Sequence, residues 1–140
     1  MLYLDTSLVV AMVTREPRRE DVYGWLESCA GEDMAISPWV VTELSSALSI
    51  KLRTGQLDLG ARSQSLAAFQ GLVSSAFHML EIDTACFLMA ARLTDHHGLG
   101  LRGADALHLA VASAHGATLC TLDRTQAAAG LAVGVSTKLI

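Results

Sequence analysis

Short apolar runs alternate with longer helical patterns along this chain, and that alternation limits the fold more than any other feature. The runs are residues 1–4, 34–36, 79–82, 118–122 and 133–135. Helical spacing fills the gaps at 8–13, 18–30, 38–53, 58–76, 83–97, 104–115 and 124–129. Local signals agree. Ser37 and Pro38 stand where an N-cap and a first helical residue belong. Asp5 or Thr6, Asp58 and Asp83 are placed to cap. Gly31, Gly55 and Gly116 follow helical patterns as terminators. Strands that alternate with helices predict an α/β fold with a parallel sheet and helices on both faces.

In such sheets the working site lies beyond the carboxyl ends of the strands. Asp5 and Asp123 each follow an apolar run directly. Asp105 falls early in a helical pattern that carries Leu109 and Ala112 on its face. Glu43 sits inside an apolar stripe with Val40, Ala47 and Ile50. A carboxylate on a core-facing stripe is costly unless it is paired, hydrogen-bonded or bound to a metal. The topology therefore predicts that Asp5, Glu43, Asp105 and Asp123 meet at one edge of the sheet.

The 140 residues suit one domain, read here as 1–140. Hydrophobic residues make up 51% and charged residues only 17%, so a partner or second subunit is expected to cover part of the surface. No run reaches the roughly 20 apolar residues of a membrane span. The first 13 residues lack a positive leader region and carry Asp5, which argues against a signal peptide. The expected compartment is the cytoplasm, where Cys29, Cys86 and Cys120, distant and odd in number, are read as buried thiols. The net charge of −4 speaks against a broad basic surface, but not against nucleic acid if several acids surround a cation.

Three chemistries compete for these residues. Gly98, Gly100 and Gly103 match G-x-G-x-x-G, with Asp123 about twenty residues on. A dinucleotide loop needs a strand before it, however, and residues 84–97 read as a helix. Asp105 would also put a negative charge where a pyrophosphate binds. The histidines His78, His96, His97, His108 and His115 show no zinc spacing, and His108 reads as a locally bonded, packed residue. The third reading is a carboxylate cluster that binds one or two divalent cations. Asp5, Glu43, Asp105 and Asp123 offer hard oxygen ligands of the kind that suit Mg²⁺ or Mn²⁺. Thr6, Ser7 and Thr121 lie beside them to hydrogen-bond ligands or water. Arg102 is a candidate phosphate contact, with Arg15, Arg18, Arg19, Lys51 and Arg53 as candidates for a basic rim.

Taken in order, Leu4-Asp5-Thr6-Ser7, the stretch from Ser37 to Leu44, the stretch from Leu101 to Ala110 and Thr121-Leu122-Asp123 resemble the successive motifs of PIN-domain nucleases. The order and spacing are most similar to the VapC-type toxins of bacterial toxin–antitoxin pairs, over residues 2–132. The resemblance implies a PIN-like three-layer α/β/α sandwich with Asp5, Glu43, Asp105 and Asp123 at its metal site. It implies an endoribonuclease dependent on Mg²⁺ or Mn²⁺. It also implies a homodimer and a small DNA-binding antitoxin whose C-terminal segment covers the site. A PIN nuclease of RNA maturation, a PIN-fold binding module without turnover and a nucleotide-binding protein using the Gly98 loop remain open as alternatives.

Overall fold

The computed structural model describes all 140 residues. Its centre is β1 (Leu2–Leu4), whose Tyr3 and Leu4 have no solvent exposure. The helices α1 (Thr6–Val13) and α2 (Arg19–Ser28) lead to β2 (Met34–Ile36). Next, α3 (Pro38–Arg53) and α4 (Leu59–Ser75) lead to β3 (Phe77–Met79). The chain then passes through α5 (Thr84–Asp95), a 3₁₀ turn at His97–Leu99 and α6 (Gly103–Ala114) to β4 (Thr118–Thr121). It ends with α7 (Arg124–Ala132) and β5 (Thr137–Leu139).

The five strands form one parallel sheet in the order β3-β2-β1-β4-β5. Leu2 and Tyr3 pair with Met34 and Ala35 on one side, and Leu2, Tyr3 and Leu4 with Thr118, Leu119 and Cys120 on the other. The chain winds outward from β1 through β2 to β3, then crosses back over β1 to β4 and β5. Right-handed crossovers put α1–α4 on one face, where α1 packs on α2, α3 and α4. They put α5–α7 on the other, where α6 packs on α5 and α7. The result is the three-layer α/β/α sandwich expected. The reversal of winding opens a crevice between the carboxyl ends of β1 and β4.

Burial explains the sequence pattern. Residues 106–112 of α6 are all buried, so the helix is apolar all round rather than striped. Gly130 on α7 is required by packing: a Cβ there would lie 2.2 Å from Thr137 Cγ2 and 2.7 Å from Leu109 Cδ2. Cys29, Cys86 and Cys120 are buried free thiols, as expected. Burial pushes the Cys120 thiol up to about 12.

The structure corrects several boundaries. β3 is Phe77–Met79, not 79–82. Its partner β2 ends at Ile36, just before Pro38 opens α3, so only Leu80 N finds a further acceptor, Ile36 O. The last strand is Thr137–Leu139, not 133–135, because α7 runs on to Ala132 and Gly134 then turns with φ +79°. Both misplaced strands are edge strands with exposed residues, where no buried alternation marks the ends. On α3 the buried seam is Val40, Leu44 and Leu48, and Ile50 is 46% exposed rather than core-facing.

Candidate functional site

Asp5 is the most buried acid, at 5% exposure. It leaves β1 in extended conformation and caps α1 by accepting Leu8 N–H at 3.2 Å. Ser7 Oγ donates to its Oδ1 at 2.6 Å, and Thr121 Oγ1, from the end of β4, donates to its Oδ2 at 2.6 Å. The same hydroxyls tie the crevice together. Ser7 Oγ accepts from Leu122 N at 3.0 Å, and Thr121 Oγ1 accepts from Asp123 N at 2.9 Å. Ser7 and Thr121 therefore both hydrogen-bond Asp5.

Asp123 caps α7, taking Thr125 N–H at 2.7 Å and Gln126 N–H at 3.0 Å on Oδ1. Asp105, half-buried in the first turn of α6, accepts Arg102 N–H on Oδ2 at 3.3 Å. Gln126, almost fully buried, links these two elements by donating from Nε2 to Asp105 O at 3.3 Å. Glu43, one turn into α3, receives Thr6 Oγ1–H on Oε2. His108 Nε2 lies 2.8 Å from the same oxygen. A carboxylate only accepts, so this Nε2 carries the hydrogen.

The electrostatics follow from burial. Burial pushes the Asp5 carboxyl above its ordinary range, against the pull of the neighbouring His108 and of the Ser7, Thr121 and Leu8 donors. Burial also pushes Asp105 up; the Arg102 N–H opposes it, while the charges of Asp123 and Glu43 add to it. Glu43 goes the other way. Its burial pushes upward, but hydrogen bonds from His108 and Thr6 outweigh that and hold it below the usual range. No lysine or arginine pairs with any of these acids.

No hydrogen bond joins one of these acids to another. No three acid, histidine or cysteine side chains stand close enough together to enclose an ion in this arrangement. The oxygens are nonetheless sorted. Oε1 of Glu43, Oδ1 of Asp105 and Oδ2 of Asp123 receive no protein donor, while their partner oxygens are held. Carboxylates with unclaimed oxygens and no lysine or arginine partner are a donor set that suits a hard divalent cation.

The PIN-domain family profile matches residues 2–131. This chain belongs to the PIN-domain family. No curated protein sequence matches it significantly. Solved structures share the fold at low identity. VapBC2 from Rickettsia felis, bound to a DNA fragment from their promoter, superposes with TM-score 0.71 at 22% identity, covering 99% of this chain and 98% of that one. FitAcB from Neisseria gonorrhoeae gives 0.69 at 23%, covering 98% and 96%. VapC20 from Mycobacterium tuberculosis, a sarcin–ricin-loop-cleaving toxin, gives 0.72 at 20%, covering 93% and 95%.

With the PIN fold in place, the remaining sequence candidates sort themselves. Arg102 is exposed beside Asp105 and enters no ion pair. Two of the basic-rim candidates are engaged in ion pairs. Lys51 pairs with Glu16 at 2.6 Å and Arg18 with Asp21 at 2.8 Å. Arg15 follows the C-cap of α1, and Arg53 ends α3, about 15 Å along the helix from Glu43. The glycine loop is not a cofactor turn, because a helix, α5, precedes it, and Gly100 at φ +66° reverses the chain into α6. The sequence reading missed the reach of His108. It is 3% exposed and bonds to Glu43 and Tyr3, far away in the chain, rather than locally. Its position three residues after Asp105, facing the same helix side, was the available signal.

Proposed function

We propose that this chain, as a single PIN domain over residues 1–140, is a metal-dependent endoribonuclease and the toxin of a toxin–antitoxin pair. One observation carries the proposal. Asp5 and Asp123 leave the neighbouring strands β1 and β4 at the same sheet edge, the charges of Asp123 and Glu43 bear on Asp105, and no lysine or arginine pairs with any of the four acids. Asp5 and Asp105 hold the principal Mg²⁺ or Mn²⁺ in this reading, Glu43 completes its shell, and Asp123 holds a second ion or orients the attacking water. A bound divalent ion lowers the pKa of water and takes up charge on the phosphate. Ser7, Thr121 and Thr6 keep the carboxylates oriented, and Arg102 stands ready for a phosphate oxygen.

The partner is a small antitoxin whose C-terminal segment covers the site. The VapBC and FitAB structures that share this fold favour that choice. A homodimer fits the exposed Phe87 and Leu88 of α5. No helix is long and apolar enough to cross a membrane, and we place the protein in the cytoplasm. The test is cleavage of a structured RNA by purified protein with Mg²⁺ or Mn²⁺. EDTA abolishes cleavage and added metal restores it; cleavage untouched by EDTA would refute the metal site. Mg²⁺ binding without RNA cleavage would instead mark a binding module of the same fold. The one observation that favours this second reading is the absence of a closed acid cluster.

A further inference from the structure

Tyr3, Ser37 and His108 are buried polar side chains to which cleavage itself assigns no task. Each would cost stability if left unbonded. Instead they form a line that ends on a site carboxylate. Ser37 Oγ is 2.7 Å from Tyr3 OH, Tyr3 OH is 2.9 Å from His108 Nδ1, and His108 Nε2 is 2.8 Å from Glu43 Oε2. The members come from α3's N-terminal edge, β1 and the middle of α6, so the line crosses all three layers.

Two features show that the line serves Glu43 rather than local stability. Ser37 occupies the N-cap position of α3 yet makes no capping bond. A serine there ordinarily stabilises the helix by capping, and here its hydroxyl goes to Tyr3. Second, Thr6 and His108 both donate to one oxygen of Glu43, which leaves Oε1 as the unclaimed oxygen. A glutamate on a helix surface is otherwise free to sample several rotamers. With Nε2 donating, Nδ1 of the neutral ring accepts the Tyr3 hydroxyl hydrogen, and Tyr3 in turn accepts from Ser37.

We propose that the Ser37–Tyr3–His108 line is a positioning device that fixes Glu43 with Oε1 presented to the divalent cation, and that His108 is its decisive member. The proposal rests on the metal-dependent reading above. Mn²⁺ affinity of the full chain, measured without RNA, tests it alongside kcat and KM for RNA cleavage. His108→Leu is expected to weaken Mn²⁺ binding about ten-fold or more and to lower kcat while leaving KM for RNA nearly unchanged. His108→Gln, which keeps an N–H donor for Glu43, recovers most of both. Tyr3→Phe keeps the ring and its packing and shows a smaller loss in the same direction; it decides the matter if His108→Leu fails to fold. Wild-type Mn²⁺ affinity in the folded variants, or a His108→Gln protein as weak as His108→Leu, overturns the proposal. Asp5→Asn separates the two readings. If it still cleaves RNA, the metal-dependent reading falls; if it is inactive while His108→Leu binds Mn²⁺ normally, only the positioning role falls.

Discussion

Asp5 and Asp105 stand on the same edge of the sheet, yet Asp5 is 5% exposed and held by three donors, whereas Asp105 is half-buried and held by one. Burial pushes both carboxyls up. The difference lies in what surrounds them. Around Asp5 the chain has built a closed set of hydroxyls from α1 and β4, whose positions the central strands fix. Around Asp105 lie other acids and solvent. One side of the crevice is a buried anchor whose charged form burial disfavours, and the other is a more open acid. On the metal-dependent reading proposed above, a cation that joined them would offset the cost of charge on the first and draw in the second.

The largest expected effect comes from Asp5→Asn. Loss of several kcal/mol of transition-state stabilisation reduces cleavage by about 10³-fold. The same substitution makes the metal-free fold no less stable at pH 7. The sign follows from the raised carboxyl. A folded pKa above the unfolded one contributes stability below the ordinary carboxylate range, and that stability is lost as pH rises through the raised value. Metal-free wild-type protein therefore melts lower as pH is raised from about 4 to 7. Asp5→Asn flattens that slope, and added Mn²⁺ raises the wild-type melting temperature alone. A steeper slope in Asp5→Asn would break the contrast between the anchor and the more open acid.

Asp105→Asn is expected to reduce cleavage about 10²-fold and to flatten the melting slope in the same direction but less than Asp5→Asn, because Asp105 is raised too yet is only half-buried. Thr121→Val tests the anchor from outside the acids. It removes the donor to Asp5 Oδ2 and the acceptor of Asp123 N–H, and denaturant titration should show a loss of about 1–3 kcal/mol. Asp123→Asn should be mildest, a loss of about ten-fold or less in cleavage, since asparagine also caps helices well and keeps the start of α7. A larger loss in Asp123→Asn than in Asp105→Asn would reverse the assignment of the open side.

Much of this was legible beforehand in particular residues. The apolar run before Asp5 and the cap signals at Asp58 and Asp83 gave the central strand and the helix starts, because both are local. The edge strands were misplaced because a strand exposed on one side has no buried alternation to reveal its ends, and pairing alone decides them. The acids were visible as carboxylates in apolar surroundings. The partner of His108 was not visible: its spacing from Asp105 put it on the same side of the helix, but a histidine in a buried helix reads the same whether it bonds a neighbouring carbonyl or a glutamate 65 residues away.

The sequence by itself determined the alternation of strands and helices, the caps and the identity of the acids, all of which depend on residues close together in the chain. Only the tertiary structure decided the strand order that puts β1 beside β4, and with it the crevice between Asp5 and Asp123. It alone decided that both oxygens of Asp5 are held, and which oxygen of Glu43, Asp105 and Asp123 is held and which is free. Those choices depend on hydroxyls, backbone amides and one imidazole, several of them from distant segments, and no local pattern encodes such meetings.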